Sequence, residues 1–248
     1  MSAYDFPYGA KAAVIGSTGG IGSAILDQLA SSENLQDIYA FSRSGHDHSE
    51  YDDGRIIPEK LDFEDENSIK NAAKIIDGKL DFVFIATGVL HGQGLEPEKA
   101  IKDLDPDQLS KSYAVNAIGP ALIGKHFLPL MRDDRRAVFA ALSARVGSIS
   151  DNNDVGGWCA YRASKAGLNM ILKNFSIEMG RKNKHLIITG LQPGTVDTRL
   201  SEPFQKFVKD DHLFAPEFAA KSLLKVLNDL SPDQSGRLFD WQGEKFAP

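Results

Sequence analysis

The sequence predicts an α/β fold in which a doubly wound parallel sheet carries helices on both faces. Short β-type runs alternate along the 248 residues with longer segments of helical period, as in strands joined by crossover helices. The run FVFIA at Phe82–Ala86 is apolar throughout, which is typical of a central parallel strand that is covered on both sides. Neither internal repeats nor low-complexity tracts occur. We therefore expect a single domain spanning residues 1–248.

The predicted strands are short runs rich in apolar residues, at Ala12–Ile15, Ile38–Phe41, Arg55–Lys60, Phe82–Ala86, Ala137–Leu142, Leu186–Leu191 and Arg237–Asp240. The predicted helices have apolar residues at helical spacing, over Ile21–Ala30, Glu66–Ile76, Asp107–Leu130, Ala160–Arg181 and Pro216–Leu230. Because parallel strands require crossover connections, this order gives the doubly wound layers.

One long segment between the last two predicted helices has weak periodicity. It extends from Gly194 to Ala215, carries mixed charge and contains Phe204, Phe207 and Phe214. Loops of this length inside a compact domain are uncommon and tend to be functional. We predict a substrate lid at residues 195–215, in which the three phenylalanines supply apolar contacts.

Composition and charge exclude several classes of function. A net charge of −6 leaves no basic surplus for a nucleic-acid backbone, so nucleic acid is not an expected partner. The single Cys159 permits no internal disulfide and no multi-cysteine metal site, which suits a reducing cytoplasm. The N-terminal segment lacks a signal-peptide pattern, and no apolar run reaches the roughly 20 residues of a membrane span. We expect a cytoplasmic protein without membrane attachment.

Histidine spacing does not predict a metal site. Only His46 and His48 have a metal-like spacing, and their polar surroundings indicate a solvated loop. No metal is therefore expected.

A glycine-rich turn joins the first predicted strand to the first predicted helix, in AAVIGSTGGIGSAILDQLA. Glycine permits positive φ angles and a close approach of backbone to a pyrophosphate, and the following helix presents free N–H groups and its positive dipole end to the anion. Gly16, Gly20 and Gly22 match one dinucleotide-binding spacing, and Gly16, Gly19 and Gly22 match another. The position between strand and helix favours a phosphate site over a purely structural turn.

Tyr161 and Lys165 are four residues apart in the strongly helical stretch CAYRASKAGLNM, so both side chains share one face of the helix. A free phenol titrates near about 10, and as a proton donor at neutral pH it benefits from a nearby cation that stabilises the phenolate. Lys165 supplies this charge. A tyrosine and a lysine at this spacing are also a common surface pair, but the small residues around them, such as Ala160 and Ser164, permit close approach of a ligand.

Five segments, in this order, resemble the short-chain dehydrogenase/reductase family, and the resemblance covers nearly the whole chain. They are the loop GSTGGIG, IATG at 85–88, Asn116 within YAVNAIGP, YRASK at 161–165 and QPGTVDT at 192–198. The stretches LSARVGSISDN, GGWCAYRASKAGLNM and GRLFDWQG are most similar to a subgroup of small reductases related to the bacterial C-factor signalling protein. The resemblance implies a Rossmann fold and a nicotinamide-dependent oxidoreductase. Chain length favours the classical members, with the spacing of Gly16, Gly20 and Gly22, over the extended ones.

The resemblance also implies roles for three central residues. Tyr161 would be the general acid/base that protonates a carbonyl oxygen as the cofactor delivers hydride to carbon. Lys165 would lower the pKa of Tyr161 and hydrogen-bond the nicotinamide ribose. Asn116 would help to hold a water that links Lys165 to solvent, with a packing role inside its helix as the alternative.

The implied cofactor site joins the glycine turn, the ends of three strands, the catalytic pair and the segment after the sixth predicted strand. Its residues are Gly16, Ser17, Thr18, Gly20, Ile21, Gly22, Ser42, Arg43, Asp62, Phe63, Ala86, Thr87, Gly88, Tyr161, Lys165, Pro193, Gly194, Val196 and Thr198. Asp62 equally fits a cap of the following helix, and Pro193 with Gly194 equally fits an ordinary turn. Arg43 favours NADP(H) over NAD(H), since it can pair with a 2'-phosphate where NAD-binding relatives commonly carry an acidic residue.

The sequence departs from the family pattern at two places. Residues 85–88 read Ile-Ala-Thr-Gly where the family usually has Asn-x-Ala-Gly. After the fifth predicted strand the family commonly has a serine pair with the second serine catalytic, whereas here the pair is Ser143 and Ala144. We assign Ser143 as the residue that polarises the substrate carbonyl, with Ser148, 13 residues before Tyr161, as its competitor. A solvent or backbone donor is the third alternative.

The leading hypothesis is a carbonyl reductase or alcohol dehydrogenase that acts on a small or medium apolar substrate beneath the lid. A dinucleotide-binding regulator or signalling factor is the first alternative, and an isomerase or dehydratase that uses the cofactor transiently is the second. By family analogy we expect a homodimer or homotetramer, in which the helices bearing Tyr161 and Asn116 pair with their symmetry mates.

Overall fold

The computed structural model describes residues 3–45, 51, 53–92, 94–152, 156–208 and 212–248. The strands are β1 Ala10–Ile15, β2 Leu35–Ser42, β3 Ile56–Lys60, β4 Phe82–Ile85, β5 Ala137–Leu142, β6 Leu186–Gln192, β7 Thr195–Val196, β8 Leu213–Phe214, β9 Leu238–Asp240 and β10 Lys245–Phe246. The α-helices are α1 Gly20–Ala30, α2 Glu66–Ile75, α3 Pro106–Tyr113, α4 Gly119–Phe127, α5 Cys159–Met179 and α6 Pro216–Asp229. His46 and His48 lie outside the described residues, so the solvated loop there stays a prediction.

Eight of the strands form one sheet in the order β10-β9-β6-β5-β4-β1-β2-β3. All neighbours run parallel except the pair β9 and β10. The chain order reverses between β1 and β4, and at such a switch point a doubly wound sheet leaves a crevice outside the carboxyl ends of its strands. The predicted doubly wound parallel sheet is confirmed, and the structure adds one antiparallel edge strand, β10. No helix of the described residues is long and apolar enough to cross a membrane.

Each face of the sheet is covered by its own helices, and residues alternate along a strand between the two layers. Phe82 and Phe84 of β4 belong to the layer that contains α1 and α6. Val83 and Ile85 belong to the layer that contains α2, α4 and α5. Burial on both faces explains why β4 is apolar throughout.

The predicted helix Asp107–Leu130 is interrupted, which corrects the prediction from periodicity. Between α3 and α4 the residues Ala114–Ile118 form a π-helical turn, and Leu128–Leu130 end the segment as a 3-10 turn. Pro120 lacks the N–H that an α-helix needs to bond the carbonyl of Asn116, which favours a local change of hydrogen-bond register. Such turns are frequent at functional sites, and this one contains Asn116.

The predicted lid is more regular than its sequence suggests. Strands β7 and β8 pair in parallel at its two ends, and residues Glu202–Phe207 form a 3-10 helix between them. Phe214 lies 4.9 Å from Phe218 and 4.6 Å from Trp241, measured between ring centroids. Phe214 therefore anchors the end of the predicted lid segment in an aromatic cluster. The side chain of Phe207 lies outside what the structure describes.

Candidate active site

The glycine turn between β1 and α1 is built on close backbone approaches. Gly16 has a φ of 87°, and a Cβ atom on Gly22 would lie 2.0 Å from the Gly16 carbonyl oxygen. A Cβ on Gly20 would lie 2.6 Å from Cγ2 of Thr198, whereas one on Gly19 would make only a 3.4 Å contact. The tightest positions are therefore Gly16, Gly20 and Gly22, the spacing that chain length favours.

The surroundings of this turn fit a nicotinamide dinucleotide. The N-cap residue of α1, Gly19, makes no side-chain cap, so backbone N–H groups of the first turn can bind a pyrophosphate. Thr87 lies beside the turn, with Cγ2 3.1 Å from the position of a Cβ on Gly16. Its buried Oγ1 has no hydrogen-bond partner among the described residues. An uncapped helix terminus and an unpaired hydroxyl next to one turn are groups that a bound dinucleotide would satisfy.

The other predicted residues of the turn have different surroundings. Ser17 is fully buried, and its hydroxyl donates to the carbonyl oxygen of Phe41 at 3.2 Å. Ser17 therefore ties the turn to β2. Thr18 is exposed and Ile21 is half-buried, so both border the open side of the turn.

At the end of β2, Ser42 is buried and Arg43 is exposed. Ser42 is the register partner of Lys60, the last residue of β3, which is also exposed. The loop then returns to β3, since a Cβ on Gly45 would lie 3.3 Å from the Cβ of Lys60. Two cationic side chains thus extend from the carboxyl ends of neighbouring strands.

Asp62 follows β3, and its carboxylate accepts a hydrogen bond from the backbone N–H of Glu64 at 3.1 Å. The N-cap of α2 is Asp65, whose side chain accepts from a backbone N–H of the first turn. The alternative in which Asp62 caps α2 is therefore wrong. Phe63 packs against α4, where a Cβ on Gly119 would lie 3.0 Å from its Cδ2.

The segment after β6 crosses to the glycine turn. Gly194 has a φ of 78°, and a Cβ there would lie 2.6 Å from Cε2 of Phe214, so the position requires glycine. Pro193 before it is half-buried, and Val196 after it is buried in β7. The chain then brings Thr198 over Gly20, since a Cβ on Gly20 would lie 2.6 Å from Cγ2 of Thr198.

Tyr161 and Lys165 lie one turn apart near the beginning of α5. Nζ of Lys165 is 5.8 Å from the centroid of the Tyr161 ring and donates a hydrogen bond to the carbonyl oxygen of Leu142 at 2.8 Å. Lys165 is only 2% exposed. A Cβ on Gly147 would lie 2.7 Å from the Cβ of Lys165, so the loop after β5 closes directly over the lysine.

Burial changes the proton affinities of this pair. It raises the pKa of the Tyr161 phenol to about 12 and lowers the pKa of the Lys165 ammonium to about 8. The resemblance implied a lowered pKa for Tyr161, and the structure differs because desolvation is the dominant influence on the phenol while the ammonium group bonds a carbonyl. A pKa of about 12 leaves Tyr161 protonated at neutral pH, as a proton donor must be.

Asn116 joins the end of the β4 segment to α5. Its Oδ1 accepts from the backbone N–H of Val89 at 2.9 Å, and its Nδ2 donates to the carbonyl oxygen of Val89 at 2.9 Å and to Oγ of Ser164 at 3.1 Å. A Cβ on Gly88 would lie 3.5 Å from both Oδ1 of Asn116 and Nζ of Lys165. Gly88, Asn116 and Lys165 therefore lie next to one another in the structure.

Ser143 is buried and faces α5. Its hydroxyl donates to Oδ1 of Asn169 at 2.6 Å. Asn169 lies one helical turn beyond Lys165, away from Tyr161. Because a hydroxyl has one hydrogen to donate, this bond competes directly with donation to a substrate carbonyl, which counts against the assignment of Ser143.

Ser148 lies closer to the beginning of α5 than Ser143 does. The chain after β5 runs antiparallel to α5, with Gly147 against Lys165 and the side-chain Oδ1 of Asn152 accepting from the guanidinium of Arg162 at 3.0 Å. Ser148 follows Gly147 directly, is 1% exposed, and its Oγ accepts a backbone N–H at 3.1 Å. An accepting oxygen leaves the hydroxyl hydrogen for another partner.

A family model described as short chain dehydrogenase matches residues 10–209. The chain belongs to the short-chain dehydrogenase family. Among curated proteins it is similar to the C-signal of Myxococcus xanthus, with 34% identity over 144 residues that cover 58% of this chain and 81% of that protein. It is also similar to 1-hydroxy-2-glutathionyl-2-methyl-3-butene dehydrogenase of Rhodococcus sp. (strain AD45), with 32% identity over an alignment covering 64% of each chain.

The fold of this short-chain dehydrogenase is similar to that of the NADPH-bound carbonyl reductase from chicken fatty liver. The TM-score is 0.83 at 23% identity, covering 98% of this chain and 96% of that one. The predicted family and Rossmann fold are confirmed, and with them the prediction of an oxidoreductase. In the part of the chain that the structure describes, no group of three or more His, Cys, Asp or Glu side chains could hold a metal.

Two residues beside Tyr161 were missed by the sequence analysis. Trp158, just before α5, has a φ of 53° and packs in a tilted arrangement against Phe204 of the predicted lid, with 4.8 Å between ring centroids. Glu98 is 5% exposed and contacts the first residues of α5. The only local sign of Glu98 in the sequence is the tripeptide PEK at 97–99, which is equally typical of an exposed surface turn. The burial of this carboxylate depends on tertiary structure, so the local sequence does not predict it.

Proposed function

We propose that this short-chain dehydrogenase transfers hydride between NADP(H) and a carbonyl or alcohol substrate, with Tyr161 as general acid/base. The observation that carries the proposal is the pair of Tyr161 and Lys165 in one site, with a half-buried, protonated phenol beside a buried ammonium group. The pair follows the carboxyl end of β5, close to the switch point of the sheet, where doubly wound folds bind ligands.

When bound, the nicotinamide supplies the hydride that adds to the carbonyl carbon. Tyr161 donates its phenolic proton to the carbonyl oxygen, which yields the alcohol and leaves a phenolate. Lys165, held by the carbonyl of Leu142, stabilises that phenolate by its charge, since its pKa of about 8 keeps it mostly protonated at neutral pH. Asn116 keeps the end of the β4 segment against α5 through its bonds to Val89 and Ser164.

The residues that would hold the dinucleotide are the tight glycines of the turn, Thr87, the ends of β2 and β3, and the segment from Pro193 to Thr198. We assign the hydroxyl that polarises the substrate carbonyl to Ser148 rather than Ser143, because Ser143 already donates to Asn169. Removing one donor aimed at a developing oxyanion costs about 100- to 1,000-fold in turnover, so this assignment is testable.

Preference for NADP(H) is supported by Arg43 and Lys60, two exposed cations at the ends of neighbouring strands. Either can pair with a 2'-phosphate by charge-assisted hydrogen bonds. Titration of NADPH and NADH against the wild type and Arg43→Ala tests this, with Arg181→Ala, an exposed arginine after α5, as control. We expect Arg43→Ala to weaken the binding of NADPH by about 10-fold or more and to leave the binding of NADH nearly unchanged. Tighter binding of NADH by the wild type would refute the preference.

Self-association is supported by an apolar surface on α3 and α5. Tyr113, Ile118, Met170 and Ile177 are large apolar residues with 37% to 63% of their surface exposed. Met170 and Ile177 are seven residues apart on one helix face, and Tyr113 contacts α5 at Gly167, where a Cβ would lie 3.4 Å from its ring. Large apolar residues exposed on one helix face and beside it mark association sites, so we propose a homodimer or homotetramer. A cytoplasmic location stays a prediction from the sequence.

A dinucleotide-binding regulator is the second candidate, and the similarity to C-signal favours it. The two functions are separated by a panel of aldehydes, ketones and quinones with NADPH or NADH, followed by loss of absorbance of the reduced nicotinamide. The oxidoreductase proposal expects consumption with at least one carbonyl compound. Tight cofactor binding without consumption of any compound would instead support the regulator.

A further inference from the structure

Glu98 is a buried carboxylate directly beside the beginning of α5. Its backbone carbonyl accepts from the N–H of Trp158 at 2.7 Å, and its Oε2 accepts from the N–H of Ala160 at 3.4 Å. Ala160 immediately precedes Tyr161. Glu98 therefore contacts the chain just before the residue that we propose as the proton donor.

One carboxylate oxygen of Glu98, Oε2, accepts a hydrogen bond from the beginning of α5. Trp158, the N-cap residue of α5, is in the left-handed region and makes no side-chain cap. The first N–H groups of a helix need an acceptor from elsewhere when the N-cap side chain does not supply one. Oε2 of Glu98 supplies it from a distant segment of the chain.

The other carboxylate oxygen of Glu98, Oε1, has no such donor in the part of the chain that the structure describes. Oε1 is buried and has no hydrogen-bond partner among the described residues. A buried acceptor without a donor is costly, and more so for a charged group, so such atoms call for a specific explanation. A bound molecule with a donor group would satisfy it.

The environment of Glu98 places such a molecule next to Tyr161. One small pocket is lined by both residues, together with Leu90, Leu95 and Ser112. The two leucines are buried and form an apolar part of the pocket wall, to which Glu96 and Gln108 add polar side chains. A carboxylate oxygen in such a wall selects for hydrogen-bond donors, because it repels anions and cannot donate to a carbonyl or ether oxygen.

We propose that Oε1 of Glu98 accepts a hydrogen bond from a hydroxyl or ammonium group of the substrate, so that the enzyme selects carbonyl compounds with a donor close to the reacting carbonyl. The inference rests on the proposed function and narrows its substrate class. Glu98 is then a specificity-determining residue, in addition to its contact with α5.

The test compares phenacyl alcohol with its methyl ether, which differ in the single donor. For the wild type we expect kcat/KM for the alcohol to exceed that for the ether by about 10-fold or more, the scale of a hydrogen bond to a charged group. Glu98→Gln keeps the shape and an acceptor for Ala160 but loses the second carboxylate oxygen, and it should bring the ratio close to one. Glu178→Gln removes the same charge from an exposed position near the end of α5, outside this pocket, and it should retain the wild-type ratio.

An equal fall for alcohol and ether in Glu98→Gln would show that Glu98 only supports the helix, and would overturn the inference. So would a wild type with no preference for the alcohol. Binding of both compounds to the NADP⁺-loaded protein, measured by calorimetry, separates this from the proposed function. If neither these compounds nor any other carbonyl compound is turned over, the proposed function fails. A binding preference for the alcohol that Glu98→Gln abolishes would still support the donor site, and equal binding of the two compounds would refute it.

Discussion

The ammonium nitrogen of Lys165 lies 5.8 Å from the centre of the Tyr161 ring, with both side chains on the first two turns of α5. This position is unfavourable for a cation, since Lys165 is 2% exposed and its ammonium group bonds the carbonyl oxygen of Leu142 rather than a carboxylate. We therefore expect the buried charge of Lys165 to lower the stability of the folded protein, as is common for residues that are kept for function.

Lys165→Met should stabilise the unliganded protein at neutral pH, because burial lowers the pKa of Lys165 from the ordinary 10.5 to about 8. Between about pH 8 and 10.5 the lysine is protonated in the unfolded chain but neutral in the folded protein, so folding releases a proton. Below about pH 8 folding buries the charged ammonium group. The stability of the wild type therefore rises with pH between about 8 and 10.5. The full penalty is on the order of 3 kcal/mol, reduced by the lost bond to Leu142.

Thermal unfolding of the wild type and Lys165→Met across pH 6.5 to 10 measures this, at about 2–4 °C per kcal/mol for a chain of this size. The advantage of Lys165→Met should shrink as pH rises above 8. Lys173→Met, at an exposed position on the same helix, should show no such dependence. A variant less stable than the wild type at every pH would contradict the cost of this buried charge.

The serine assignment is tested by two single substitutions. Ser148→Ala should lower turnover by about 100- to 1,000-fold if its hydroxyl polarises the carbonyl. Ser143→Ala should leave turnover near that of the wild type but destabilise the fold by about 1–3 kcal/mol, because Asn169 loses its buried donor. Steady-state kinetics and denaturant unfolding of both variants decide between them. The opposite pattern, with Ser143→Ala inactive and Ser148→Ala normal, would restore the assignment made from sequence.

Thr87→Val should affect the free and the cofactor-bound protein in opposite directions. Valine keeps the shape of threonine and removes the unpaired Oγ1, so the unliganded protein should be as stable as the wild type or more so. NADPH should bind about 5- to 10-fold more weakly, because one hydrogen bond is lost. Calorimetric titration and unfolding of the same samples test both effects. Unchanged NADPH affinity would remove Thr87 from the cofactor site.

Met170→Glu should dissociate the proposed oligomer, since it places a charge in the centre of the exposed apolar surface on α3 and α5. Light scattering at micromolar concentration gives the mass. Met170→Leu, which keeps the surface apolar, should retain the wild-type mass. A monomeric wild type would reject this interface.

The sheet was predictable because its strands are buried on both faces. The predicted Ala137–Leu142 matches β5 in both bounds, and the apolar run in β4 follows from two covering layers. The glycine spacing was predictable as a pair of alternatives, of which chain length favoured Gly16, Gly20 and Gly22. In the structure a Cβ on Gly20 would lie 2.6 Å from Cγ2 of Thr198, whereas one on Gly19 would make only a 3.4 Å contact.

The features that sequence could not supply depend on tertiary contacts. A π-helical turn has nearly the periodicity of an α-helix, so Pro120 was its only local sign. Strands of two residues, such as β7 and β8, are too short to show a period. The raised pKa of Tyr161 and the burial of Glu98 arise from residues distant in sequence, which no local pattern records.

The most direct test of the account is the turnover of Tyr161→Phe with whichever carbonyl compound the wild type reduces. Phenylalanine keeps the ring beside Lys165 and removes the proton, so turnover should fall by at least about 100-fold, the scale of a positioned general acid. Affinity for NADPH should stay near the wild-type value, and Tyr8→Phe, at a tyrosine that is 88% exposed, should be as active as the wild type. A Tyr161→Phe enzyme that retains half of the wild-type turnover would contradict the role proposed for Tyr161.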